Sequence, residues 1–263
     1  MVRTYSSYLR LDELLNLQTP ASEGPEGPEH DETLFIIIHQ VYELWFKQVL
    51  HETDLLRHCL EIGDAPRALS TFKRILTIFK TLVAQVDVLE TMTPVSFNSF
   101  RYRLDSASGF QSAQFRLVEY AFGHRRPEVL KWMPEGSEEL RRLEEEIRRP
   151  SLYASFLRFL TLNAYPIPVD LLERDPTLPV PEDERVQKIL IQIYREDPAN
   201  REVCERMVDL DEGVQEWRYR HVKMVQRTIG VKVGTGGSAG SEYLKSTLFR
   251  SLFPDLWTIR ASL

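Results

Sequence analysis

The chain has 263 residues, 43% of them hydrophobic and 27% charged, with a formal net charge of -6. A chain of that length buries roughly three quarters of its unfolded surface, so one large domain folds without disulfide or metal staples. The negative charge argues against nucleic acid as a partner, and no apolar run reaches the ~18 residues of a membrane span. Cys59 and Cys204 lie on separate segments without a CxxC pair and read as reduced thiols. The opening Met1-Val2-Arg3-Thr4 leads into no continuous apolar stretch, so no secretory signal is expected and the expected compartment is the cytoplasm.

In chain order, residues 3–17 carry Tyr5, Tyr8, Leu9, Leu11, Leu14 and Leu15, compatible with a short amphipathic helix. A terminus of this kind frays unless it is docked. Pro20 to Glu29 is rich in proline and glycine and is expected to be a loop that lets the arm 1–30 reach a neighbouring subunit. His30-Asp31-Glu32-Thr33 supplies capping candidates and first-turn acids for a helix from near Asp31 to about Ile62, stopped at Gly63-Asp64-Ala65-Pro66. From Arg67 to Met92 the apolar positions Leu69, Phe72, Ile75, Phe79, Leu82, Val86 and Leu89 recur at steps of three or four. That period predicts a second helix, antiparallel to the first.

Thr93 and Pro94 form a good N-cap and first helical position for a short helix to about Leu104, with Phe97 and Arg101 on one face. The pattern breaks at 105–109 and resumes from Gln111 to Phe122. Residues 125–185 read as a small helical lobe, with helices near 137–148 and 151–163. The basic pairs Arg125-Arg126, Arg141-Arg142 and Arg148-Arg149 are flanked by glutamates and are expected on solvated faces. Helices follow over 182–194 and about 200–229, then a glycine-rich stretch and a further helix from Tyr243 to Leu252. No segment alternates as a strand does. The expected fold is therefore all-α, a helical bundle forming one domain over 1–263.

Two histidines stand out. Phe35, His39, Tyr42 and Phe46 share one helical face, and His221 shares another with Trp217, Met224 and Val225. Each reads either as a histidine satisfied in a core or as one wall of a slot between helices, where bundle proteins hold cofactors. Carboxylates are missing from both faces, which disfavours a di-iron cluster and suggests a haem with one axial imidazole. Gly234-Thr235-Gly236-Gly237-Ser238-Ala239-Gly240 follows a helix rather than a strand and lacks the Gly-Lys-Ser/Thr ending of a phosphate loop. It is either a solvent loop or a pliable lid. Arg101 is either a surface arginine with a packed stem or a fork for a carboxylate.

Several stretches together resemble the tryptophan 2,3-dioxygenase family. They are Tyr5-Ser6-Ser7-Tyr8-Leu9, His30-Asp31-Glu32, His39-Gln40-Val41-Tyr42-Glu43-Leu44-Trp45-Phe46-Lys47-Gln48, Ser96-Phe97-Asn98-Ser99-Phe100-Arg101, Ser108-Gly109-Phe110-Gln111-Ser112, Gln114-Phe115-Arg116, Arg220-His221, Gly234-Thr235-Gly236-Gly237-Ser238 and Phe253-Pro254-Asp255-Leu256-Trp257. Coverage is weakest from 125 to 185. The resemblance implies haem b, one per subunit, with His221 as the iron ligand, Trp217 supporting that side and His39 near the indole N–H on the other. It implies that Phe35 and Phe97 wall the indole, that Arg101 and Thr235 hold the amino-acid end, and that Ser108 lies close to haem and substrate. Tyr5 and Tyr8 would enter a neighbouring subunit's pocket in a homotetramer. The implied reaction takes L-tryptophan and O2 to N-formyl-L-kynurenine, the first step of tryptophan degradation by the kynurenine pathway. Three other readings stand beside it: a haem monooxygenase of a modified tryptophan or indole, a non-catalytic haem carrier or sensor, and an interaction bundle without cofactor.

Overall fold

A computed structural model describes residues 2–22, 24, 25, 27–104, 112–230, 244, 245 and 247–263. Its helices in chain order are α1 (Tyr5–Leu9), α2 (Leu11–Leu14), α3 (His30–Glu61), α4 (Ala65–Leu89), α5 (Pro94–Phe100), α6 (Ala113–Phe122), α7 (Glu138–Arg148), α8 (Leu152–Leu162), α9 (Val169–Leu172), α10 (Glu184–Glu196), α11 (Pro198–Ile229) and α12 (Pro254–Thr258). No strand occurs among the described residues, so the all-α expectation holds. None of these helices is long and apolar enough to cross a membrane.

The α3–α4 hairpin has a local cause. Gly63 sits at φ +76°, a backbone that favours glycine, and ends α3, while the Asp64 side chain accepts the Arg67 N–H at 3.1 Å and starts α4. The two helices run antiparallel, since Tyr42 Oη donates to the Leu82 carbonyl at 2.8 Å and Arg74 reaches Glu52 at 3.1 Å. α4 is the central element, with α3 packed along one side of it and α11 along another. Phe72, Ile75, Phe79 and Leu82 on α4 are buried in the main core with Leu56 and Leu60 of α3 and Met207, Leu210 and Val214 of α11.

Within 125–185 the packing divides. α7 joins α6 in a small cluster around Tyr120, Leu143 and Ile147, whereas Tyr153, Phe156, Phe159 and Leu160 of α8 belong to the main core. The expected helix over 243–252 lies partly outside the described residues, and Thr247 to Phe249 form a turn. α12 was not anticipated. It is anchored by the buried Asp211 carboxylate of α11, which accepts from Leu252 N–H at 2.8 Å, Phe253 N–H at 3.1 Å and Trp257 Nε1 at 2.9 Å.

One expectation fails. Arg125 and Arg126 are 2% and 9% exposed, far from a solvated face. Arg125 donates to the carbonyls of Glu146 and Arg149, both at 2.7 Å, and Arg126 reaches the Glu119 carboxylate at 2.7 Å. Their partners come from other helices, which a local charge pattern does not reveal.

Candidate functional site

His39 and His221 sit on α3 and α11, whose backbones stay apart while both pack along α4. Rings bridge the separation. Tyr42 and Phe46, one and two turns beyond His39, lie 6.4 and 5.7 Å from Trp217, which stands one turn before His221. Further along, Phe35, Ile38 and Tyr42 share a cluster with Met224, Val225 and Ile229. The helices therefore pass antiparallel, and this places the two imidazoles opposite one another.

On the α3 side, Phe35 lies 4.1 Å from His39, 5.7 Å from Phe97 and 5.6 Å from Phe100 between ring centres. His39 Nδ1 is 2.7 Å from the Phe35 carbonyl. A carbonyl only accepts, so Nδ1 carries the proton and Nε2 is left with its lone pair. Burial lowers the His39 pKa, against a smaller opposing pull from the Phe35 carbonyl and Glu43. On the α11 side, His221 stacks on Trp217 at 5.2 Å with ring planes 5° apart. Its pKa is pushed down to about 4 by burial, with His39 and the Arg116 guanidinium adding to the effect. Both imidazoles are thus neutral near pH 7.

The site rests on a charged layer that spacing did not reveal. Glu119 of α6, 2% exposed, holds Arg116 and Arg126 at 2.7 Å and Arg218 at 2.9 Å. Burial opposes its charge, but Arg116, Arg218 and Arg126 outweigh that and hold the carboxyl well below the usual range. Phe115, beside Arg116, packs 4.6 Å from Trp217. Glu43 was also passed over; it accepts from Ser112 Oγ at 2.6 Å and, through its backbone carbonyl, from Gln114 Nε2 at 2.8 Å, tying α3 to the start of α6. Glu43, Phe115 and Arg116 all lie inside the recognised stretches, which was the one available signal.

Near this layer His124 keeps a buried Nε2 without a hydrogen-bond partner, and burial lowers its pKa to about 4. Arg218, Arg126 and Arg250 deepen that shift and Glu119 opposes it. An unfolded histidine binds its proton near pH 6.5, so as pH falls the unfolded chain is protonated first. The contribution is complete above about pH 6.5 and is lost as pH drops toward about 4. The melting temperature of the haem-free protein is expected to fall across that window. His124→Gln should flatten the fall in a pH series of melting curves.

The structure thus brings together Phe35, His39, Phe97, Trp217 and His221. Arg101 follows α5 directly, its N–H bonded to the Phe97 carbonyl, at the end of the helix whose rings touch Phe35. Tyr5 and Tyr8 stand apart, 77% and 69% exposed on α1. The arm's far end is tied near the site, where Gln18 donates to Gln40 at 2.7 Å. Ser108 and Thr235 lie outside the described residues.

The shared sequence pattern of tryptophan 2,3-dioxygenases matches residues 2–151 and 182–263. The chain belongs to the tryptophan 2,3-dioxygenase family. A tryptophan 2,3-dioxygenase of Herpetosiphon aurantiacus is 58% identical, over 99% of this chain and 98% of its own. One from an Anaeromyxobacter species is 54% identical over 99% and 96%, and one from Bacillus anthracis 38% over 99% and 92%. For a family of dioxygenases the donor set is informative. Among the described residues no group of three or more His, Cys, Asp or Glu side chains is placed to chelate a bare metal ion. A single neutral imidazole on each ring-lined wall fits a flat iron cofactor held by one histidine.

Proposed function

We propose that this chain binds one haem b between α3 and α11 and converts L-tryptophan and O2 to N-formyl-L-kynurenine, with both oxygen atoms entering the product. The observation that carries the reading is the pair of neutral imidazoles on facing helices, each set against an aromatic ring. When bound, haem supplies the redox-active iron that activates O2.

His221 would hold the iron, since a depressed pKa keeps its lone pair available and the stack on Trp217 fixes its plane. His39 has committed its Nδ1 proton to the Phe35 carbonyl, so Nε2 accepts the indole N–H and aims the ring. Phe35 and Phe97 wall the indole. Arg101 grips the substrate carboxylate through two parallel N–H donors, and Ser108 and Thr235 complete the polar end. Fixing the indole in this way removes part of the entropic barrier. Tyr5 and Tyr8, exposed within one chain, reach the neighbouring pocket of a cytoplasmic homotetramer.

The deciding experiment is anaerobic titration of the reduced, haem-loaded protein with L-tryptophan, followed by labelled O2 and product mass analysis. Two labelled atoms in the product support the reading; one atom, or no turnover, ends it. His39→Ala should lower kcat/KM by roughly 10- to 100-fold without abolishing it, because it loses an orienting hydrogen bond rather than an obligatory base. Complete loss with haem and substrate still bound would assign the base role instead. Arg101→Ala should weaken tryptophan binding by about 2–5 kcal/mol in a spectral titration. An unchanged affinity removes Arg101 from the substrate.

A further inference from the structure

A cavity of about 360 Å³ opens beside α8, between it and residues 171–186, and reaches Asp255 of α12. It shares no lining residue with the histidine gap, and much of its wall comes from 152–181, which the family pattern leaves unmatched. Its size is that of a small-molecule pocket. Tyr153, Leu157, Leu172 and Val180 make it largely apolar.

Three of the four acids on its wall are engaged. Asp255 accepts the Tyr153 hydroxyl at 2.7 Å, and the Asp183 N–H and Gln187 Nε2 both at 2.9 Å. Asp183 caps α10 and pairs with Arg185 at 2.7 Å, and Asp175 accepts from Thr177 at 2.8 Å. The arginines differ. Buried Arg125 donates to two carbonyls and its Nε has no partner, while Arg174 donates to the Pro179 carbonyl at 2.6 Å. Neither has a carboxylate within ion-pair distance among the described residues, nor has Arg148 on the same wall. Burial lowers the pKa of Arg125 to about 10 and that of Arg174 in the same direction, against smaller opposing pulls from Glu146 on the first and Asp175 on the second.

We propose that this cavity binds a small organic carboxylate with an apolar body, its carboxylate held by Arg174 and Arg148 and its body seated on Tyr153, Leu157 and Val180. A planar guanidinium matches a carboxylate through parallel hydrogen bonds. Asp183, Asp255 and Glu173 on the same wall disfavour a doubly charged phosphate.

The probes are phenylacetate and hexanoate, with phenylacetamide as the neutral control, titrated calorimetrically into the full-length, haem-loaded protein. The expected result is saturable binding of at least one acid and binding of the amide at least tenfold weaker. Arg174→Gln should weaken the acid at least tenfold with unchanged melting behaviour. Ala154→Trp, which fills the cavity and leaves every arginine in place, should abolish binding, and Arg101→Ala should leave it intact. Absence of saturable binding by both acids overturns the proposal, as does equal binding of the amide. Loss of binding in Arg101→Ala with retention in Arg174→Gln also overturns it, because the acid then sits in the catalytic gap. None of these outcomes bears on the product-mass experiment, so the two readings fail separately.

Discussion

Replacing His221 by alanine is expected to yield a folded, helical protein that retains no haem and has no dioxygenase activity. The imidazole makes a ring stack with Trp217 and no hydrogen bond among the described residues, so its removal takes little from the bundle. It does take away the one neutral donor on the α11 wall. Far-ultraviolet circular dichroism should match the parent protein, while the haem absorption band after reconstitution should be absent. Added imidazole, small enough to enter the space left by the side chain, should restore the band in part. Equal haem retention by His221→Ala, with loss of haem in His39→Ala, would reverse the two histidines' roles. The Trp217 indole adds a second readout. Its N–H is buried without a partner of ordinary geometry, although the Tyr42 hydroxyl lies near it, so the ring is held by packing against Phe46, Phe115 and His221. Trp217 fluorescence should therefore respond to haem in the parent and not in His221→Ala.

The parts of this site that a linear reading reaches are those set by local chemistry. The apolar period of α4, the Thr93 cap and the shared face of Phe35 and His39 each depend on residues within one or two turns. Which two faces meet is a different matter. His39 and His221 oppose each other only because α3 and α11 both pack along α4, and periodicity does not encode that; the family resemblance supplied the pairing. The buried arginines show the same limit. Arg125 finds its acceptors on Glu146 and Arg149, and Arg218 finds Glu119 across 99 positions of sequence, so their neighbours in the chain misrepresent their surroundings. Asp211 was invisible for a similar reason, as its three donors come from residues 252–257. Tyr5 and Tyr8 mark the opposite case, a recognised motif that stands exposed on α1, so the described residues of one chain give no reason for its tyrosines.

Glu119→Gln is expected to destabilise the protein by about 3–5 kcal/mol, as loss of the carboxylate from a buried ion cluster does. Three guanidinium groups, from Arg116, Arg126 and Arg218, lose the negative charge they share, and the amide is a poorer acceptor in the same volume. Arg218 is the most exposed to the loss, because its Nε and Nη1 already lack partners. The double variant Glu119→Gln/Arg218→Met should recover part of the stability, and a double-mutant cycle from urea unfolding gives the coupling. Additive effects would mean that the cluster is held by its other bonds and that Glu119 is not its keystone. The consequence reaches the site. Glu119 neutralises Arg116, whose charge already disfavours protonation of His221, and Arg218 adjoins Trp217 in sequence. Removing the carboxylate therefore loosens the wall behind the Trp217–His221 stack and leaves more positive charge beside it. Haem-loaded Glu119→Gln is expected to release haem faster than the parent at temperatures well below its unfolding transition. Identical release rates would confine Glu119 to stability alone.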